Sequence, residues 1–182
     1  MEIVSFDKLL LKTAFCCMAS DGIIDKREIA LIKSMCEKSP LFKSFNFEEE
    51  VNNLITNLNK EGKEFINYYF QLLKLSTLTE QEELTLIDFA INTIKADDQI
   101  EFSEIKFFKV IRLNLKISDA KVLAVYPDIE QFLEQDIITE SYLEKITNKY
   151  LDTEELPQFE LIHSLDTDSL ANLNQERNET QP

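Results

Sequence analysis

The chain repeats one ten-residue pattern, and any fold proposed for it has to accommodate both copies. The stretches SDGIIDKREI (Ser20 to Ile29) and ADDQIEFSEI (Ala96 to Ile105) align without a gap at a shift of 76 positions. Both contain an acid, two residues, Ile, a second acid, two residues and Glu-Ile, and both follow an apolar helical run. Two copies are too few for a solenoid, so the repeat predicts one domain built from two related helical halves.

Each copy has the pattern of a corner between two helices. Gly22 can take the left-handed conformation at which the first helix ends. Asp25 can cap the next helix, and Glu28 at the third helical position completes a capping box. In the second copy Asp98 replaces the glycine and Glu101 is a poor cap, so that corner is less regular. This structural interpretation is the favoured one.

The alternative interpretation is a site for a divalent cation. Asp-Gly-x-Ile-Asp-x-x-Glu is similar to the second half of an EF-hand loop. The first and third positions of such a loop would be Cys17 and Ala19 in one copy, and Thr93 and Lys95 in the other. Neither copy is therefore an ordinary EF-hand. If the two halves pack by pseudo-symmetry, however, the two acidic corners would face each other.

An apolar helix that runs into Asp-Gly-x-Ile, Asp and Glu resembles the tellurite-resistance TerB-like family. FFKVIRLNLKIS (Phe107 to Ser118) resembles the helix and turn that follow the second copy, and the resemblance covers about residues 5 to 126. It implies an all-α, TerB-like domain of two pseudo-repeats, a role in stress response, and a bound cation such as Ca²⁺ or Mg²⁺. The implied ligands are Asp21, Asp25, Glu28, Asp97, Glu101 and Glu104. Asp98, which replaces the glycine of the motif, departs from the pattern. Similar domains also occur as accessory modules, including one in DnaJ-like co-chaperones, so the resemblance does not fix a pathway.

Charge and composition narrow the functional classes. The net charge of −15 disfavours nucleic acids and anionic membrane surfaces as partners. Only two glycines and four prolines in 182 residues disfavour an all-β fold. No apolar run has the length of a membrane span, and no signal peptide is recognisable. Cys16, Cys17 and Cys36 form no disulfide or zinc pattern, which predicts buried free thiols in a reducing cytoplasm.

Apolar periodicity and capping residues predict seven to eight helices. The predicted spans start at Ser5, Lys26, Asn46, Lys63, Glu80, the second corner and Ser118, with a weaker helix from Thr139 to Tyr150. The helix after the second corner is predicted to run to about Leu115. The clearest start signal is the capping box of Thr79 and Glu82. Gly62 either ends the third helix or kinks it. The predicted domain covers residues 1–150, and the acidic composition of residues 151–182 predicts a disordered tail.

Two sets of apolar residues are candidate partner surfaces. Phe42, Phe45 and Phe47 either fill the gap between the two halves or form an exposed aromatic patch. Phe159, Leu161, Ile162 and Leu165 interrupt the acidic tail. The tail is either fully solvated, or this segment folds on a protein partner or back onto its own domain.

No catalytic constellation is recognisable in the sequence. The only histidine is His163, and there is no glycine-rich phosphate loop or nucleophile elbow. The sequence therefore favours a non-enzymatic interaction or adaptor module of a bacterial-type stress or defence system, with no required cofactor and a protein partner. The alternatives are a cation-binding protein that uses the paired corners, and an enzyme with a carboxylate-based site.

Overall fold

A computed structural model describes residues 4–22, 24, 26–43, 45–96, 102–133 and 158–162. This part of the chain is all-α and contains no strand. Its seven helices are α1 (Phe6–Met18), α2 (Lys26–Lys38), α3 (Phe47–Glu61), α4 (Lys63–Leu75), α5 (Glu80–Ile94), α6 (Phe102–Leu113) and α7 (Asp119–Val125). Short 3-10 turns at Ala19–Asp21, Pro40–Phe42 and Pro127–Ile129 separate some of them, and a single helical turn, Glu130–Leu133, follows.

The core is organised around α1 and α5, which contact each other more extensively than any other two elements. α1 is buried on more than one side, since Leu11 and Phe15 are buried together with its main apolar face. α2 packs on both α1 and α5, and α6 also packs on both. The four helices that flank the two sequence repeats therefore form the centre of the molecule, and α3 and α4 pack on its α1 side.

Local sequence signals explain most helix boundaries. The capping box at the start of α5 is formed, with the Glu82 backbone N–H donating to Thr79 Oγ1 and the Thr79 N–H donating to Glu82. Gly22 has φ 86°, the left-handed conformation predicted for the first corner. Gly62 has φ 56° and separates α3 from α4, so these are two helices. Such φ values favour glycine because a side chain would be strained there.

The predicted boundaries differ from the structure near the end of α6. The helix ends at Leu113 rather than at about Leu115, because the chain then turns toward a long-range partner on α5. Glu83 of α5 is buried and accepts hydrogen bonds from the backbone N–H groups of Lys116, at 3.0 Å, and Ile117, at 2.6 Å. Arg112 donates to the Ile117 carbonyl oxygen from the other side. The α6–α7 connection is thus fixed by side chains that the local pattern did not single out.

The buried thiols predicted from sequence are confirmed. Cys16, Cys17 and Cys36 are all described, all buried and all free. Nearby, Tyr69 is fully buried and its hydroxyl donates to Thr13 Oγ1 at 3.1 Å.

The predicted helix from Thr139 to Tyr150 lies outside the described residues. Among the described helices, none is long and apolar enough to cross a membrane.

Candidate functional site

Two asparagines, Asn52 and Asn59, form a polar stripe on α3, which we call the α3 docking face. Asn46 caps the start of the helix, and its side chain accepts a hydrogen bond from the Glu49 N–H at 3.3 Å. Its apolar stripe faces the core and consists of Val51, Leu54, Ile55 and Leu58. Asn52 and Asn59 are seven residues apart, which is close to two helical turns, so both side chains lie on one stripe beside the core face.

These two asparagines hold residues 158–162, which fall in the segment predicted as an acidic tail. Asn59 Nδ2 donates to the carbonyl oxygen of Phe159 at 2.8 Å, and its Oδ1 accepts from the Phe159 N–H at 2.8 Å. Asn52 makes the same pair with Ile162, at 3.0 Å to the carbonyl oxygen and 2.8 Å from the N–H. Gln158 Nε2 donates to the backbone oxygen of Asn59 at 3.2 Å. Each asparagine amide therefore takes the place of a peptide group in a neighbouring strand.

The spacing of the asparagines matches the spacing of the residues that they bind. Seven residues of helix rise about 10 Å. Three residues of extended chain, from Phe159 to Ile162, also cover about 10 Å. The segment runs antiparallel to α3, because Phe159 lies at the later asparagine and Ile162 at the earlier one. The helix and the segment thus meet in register at two points.

Two side chains of the segment, three residues apart, are buried, and the other three are exposed. Phe159 and Ile162 are 9% and 8% exposed and belong to the same buried cluster as the helical core. Gln158 and Glu160 are exposed, and Leu161 is 46% exposed. Of the candidate partner residues in the tail, the structure therefore brings Phe159 and Ile162 onto the domain and leaves Leu161 in solvent. Leu165 lies outside the described residues.

The favourable and unfavourable contributions to the free energy of docking nearly cancel. Five hydrogen bonds contribute about 1 kcal/mol each. Burial of one Phe and one Ile side chain contributes about 5 kcal/mol together. Fixing the backbone of five residues costs about 5–10 kcal/mol. The two sides agree within a few kcal/mol, so the segment is held specifically but not strongly.

A pocket of about 290 Å³ opens at the start of α3. Its lining consists of Lys33, Cys36, Glu37, Phe42, Phe45, Asn46, Phe47 and Glu48. Phe42 is buried and stacks on Phe89, with 6.0 Å between ring centroids, while Phe45 and Phe47 are half-buried. The three aromatic residues singled out in the sequence thus fill part of the core and also border an open pocket. Burial raises the pKa of Cys36 to about 12, with a further contribution from Glu37, so its thiol is not an activated nucleophile.

Each acidic corner contributes one buried glutamate. Glu28 in the first turn of α2 and Glu104 in the first turn of α6 are both buried, at 7% and 4% exposure. Burial is the main cause that raises the pKa of Cys17, followed by the neighbouring Cys16. Glu104 and Glu28 both raise this pKa further, which places both carboxylates near the C-terminal end of α1.

The other predicted metal ligands give no geometry for a site. Asp25, Asp97 and Glu101 lie outside the described residues, and of Asp21 only the backbone is described. Within the described ranges, no group of three or more His, Cys, Asp or Glu side chains is arranged to hold a metal ion. The structure therefore brings Glu28 and Glu104 toward one end of α1 and defines no complete ligand set.

Sequence reasoning missed Asn52 and Asn59. The available signal was two asparagines at helical spacing on the polar side of an otherwise clear apolar stripe, followed about 100 residues later by an apolar pair three residues apart. Neither feature is unusual by itself, and only their pairing in space gives them a role.

Comparisons of this chain with family models, with curated proteins and with solved structures find no match.

Proposed function

We propose that this chain is a non-enzymatic interaction module, an adaptor that holds an extended peptide along α3. The observation that carries the proposal is the double pairing of Asn59 with Phe159 and of Asn52 with Ile162. Both asparagines bind backbone groups, which every peptide has, so the arrangement suits recognition of a chain from another protein. Main-chain hydrogen bonds supply affinity in such peptide sites, and side-chain pockets supply specificity.

The cellular setting is a separate part of the proposal. The two corner motifs resemble the TerB-like family, and on that basis we assign the adaptor to a bacterial-type stress or defence response in the cytoplasm. The packing of α2 and α6, each against both α1 and α5, supports two pseudo-repeated halves. Two pseudo-repeated halves are what the resemblance to the TerB-like family implies.

The test is affinity capture from a lysate of the source cells with the full chain as bait. The variant Asn52→Ala/Asn59→Ala is compared with Asn53→Ala, a matched exposed asparagine on the same helix. We expect partner proteins that the Asn53→Ala bait retains and the double variant loses, in chelator as well as in calcium. An unchanged set of captured proteins in the double variant would show that the α3 docking face is not the recognition surface.

A second candidate function is cation binding, and the observation in its favour is the approach of Glu28 and Glu104 to Cys17. Two buried carboxylates at one end of α1 are what a shared site between the two corners requires. Calorimetric titration with Ca²⁺ and with Mg²⁺ tests it, using Glu28→Gln/Glu104→Gln as the variant and Glu49→Gln, an exposed carboxylate of α3, as the control. Binding that the control keeps and the variant loses would support the site, and absence of binding to the unaltered chain would remove it.

A further inference from the structure

We infer that residues 158–162 are a built-in competitor for the peptide that the adaptor binds. The partner is an extended peptide with apolar side chains at three-residue intervals, and it occupies the α3 docking face after the chain's own segment has left. This inference rests on the proposed function, since it names the ligand class and the regulation of the same site.

The contacts of the docked segment define what the site accepts. The two asparagines bind the N–H and carbonyl groups of Phe159 and Ile162, and these bonds involve no side chain of the segment. Specificity therefore comes from the two buried side chains, one aromatic and one aliphatic, which join the helical core. A partner peptide has to present the same pair at the same spacing and run antiparallel to α3.

The aromatic pocket extends the site in the direction of the peptide. Glu48, which lines the pocket, lies one helical turn before Asn52 and therefore on the same stripe of α3. The docked segment runs toward that end of α3, since Ile162 is bound by the earlier asparagine. Three further residues of extended chain cover about 10 Å, enough to bring a third apolar side chain to the pocket. Phe42, Phe45 and Phe47 would give this side chain an apolar contact surface.

Covalent attachment makes the segment an effective competitor although its contacts are few. Between Leu133 and Gln158 the sequence contains 24 residues, so the segment is always present close to its site. Short tethers give effective concentrations on the order of 1 mM. A partner peptide must displace the tethered segment, either because it binds α3 more tightly or because its concentration is higher. The segment therefore raises the partner concentration that is needed for binding.

The experiment measures binding of a fluorescent synthetic peptide to the full-length chain by anisotropy. The probe has the sequence of residues 156–167, LPQFELIHSLDT, and contains the apolar residues Phe159, Ile162 and Leu165. It is titrated into the unaltered chain, into Phe159→Ala/Ile162→Ala, and into Leu161→Ala as the matched control for an exposed tail residue. Ile162→Pro is a second way to release the tail. It removes the N–H group that donates a hydrogen bond to Asn52 Oδ1, and it changes no residue of a helix.

We expect the tail-release variants to bind the probe at least about tenfold more tightly than the unaltered chain and Leu161→Ala. Adding Asn52→Ala/Asn59→Ala to a release variant should abolish that binding. A probe with Leu165→Ala should bind several-fold more weakly if the aromatic pocket is used, and equal affinity would remove the pocket from the site.

The two possible failures are distinguishable. Equal affinity of the probe for the unaltered chain and both release variants would overturn the competitor role and leave the adaptor function in place. No binding to any variant, with circular dichroism showing intact helices, would overturn both, because the α3 docking face would then not accept a peptide in trans. Binding that survives the asparagine substitutions would also overturn the inference.

Discussion

Replacing Glu83 by Gln should destabilise the protein far more than the loss of one surface charge. The carboxylate is 4% exposed and accepts from the N–H groups of Lys116 and Ile117. A glutamine of the same size can offer only one oxygen, and its amide nitrogen is a donor that would face a backbone donor. Glu83 Oε2 accepts from both N–H groups, so a glutamine oxygen in that position would keep two bonds only as weaker neutral ones, and the buried amide nitrogen would face the Lys116 N–H without an acceptor.

The expected magnitude follows from the number and kind of these bonds. Hydrogen bonds to a charged group contribute about 1.5–3 kcal/mol each and neutral ones about 0.5–1.5 kcal/mol, and the buried glutamine amide donor left without an acceptor costs about 1–3 kcal/mol. We therefore expect Glu83→Gln to lower the free energy of unfolding by about 2–4 kcal/mol. That is a large part of the 5–15 kcal/mol typical of a domain.

The assay is urea denaturation at neutral pH, followed by the helical circular dichroism signal. The matched control is Glu80→Gln, which removes the same charge from the same helix at an exposed pair with Lys121 and should cost less than about 1 kcal/mol. If Glu83→Gln differed from this control by less than about 0.5 kcal/mol, the buried carboxylate would not hold the α6–α7 connection, and the reasoning would be refuted.

Two further substitutions test the core and a helix cap, and one labelling experiment tests the thiol in the pocket. Tyr69→Phe removes the hydroxyl that donates to Thr13, and should cost about 1 kcal/mol in chemical denaturation, whereas Tyr68→Phe at an exposed site should cost nothing measurable. Thr79→Ala breaks the capping box and should cost about 1 kcal/mol in the same assay, and a neutral result would contradict the assigned cap. The pKa of Cys36 is raised to about 12, so at pH 8 only on the order of 1 in 10⁴ of its thiols is ionised. Its labelling by a disulfide reagent, assigned by mass spectrometry, should therefore rise about tenfold per pH unit from pH 8 to 11, and a plateau near pH 9 would contradict the shift.

The helices were predictable because their signals are local. Thr79 with Glu82 and Asn46 with Glu49 each act over three residues, so the start of a helix can be found in the sequence next to it. Gly22 and Gly62 mark ends for the same reason, since both have positive φ. Capping patterns and apolar periodicity together explain why α2, α4 and the start of α5 were placed correctly.

The contacts that define the site are long-range, and no local pattern contains them. Glu83 meets its partners 33 and 34 positions away, and Asn52 and Asn59 meet theirs 110 and 100 positions away. In sequence, Glu83 is one acid among several in the first turn of α5, where acids are common anyway. The tail likewise has the composition of a solvated segment, and its apolar pair gains a role only because α3 offers two amides at a matching spacing.

The proposed recognition of peptides along α3 has a consequence for specificity. The distance between Asn52 and Asn59 is fixed by the rise of α3, which is anchored in the core through Val51, Leu54, Ile55 and Leu58. A peptide with one residue more or fewer between its two apolar positions would be shifted by about 3.3 Å at the second asparagine. That shift is larger than the tolerance of a hydrogen bond. In the proposed function, the α3 docking face would therefore select on spacing as well as on side-chain type, so a contact of nearly balanced free energy would still be selective.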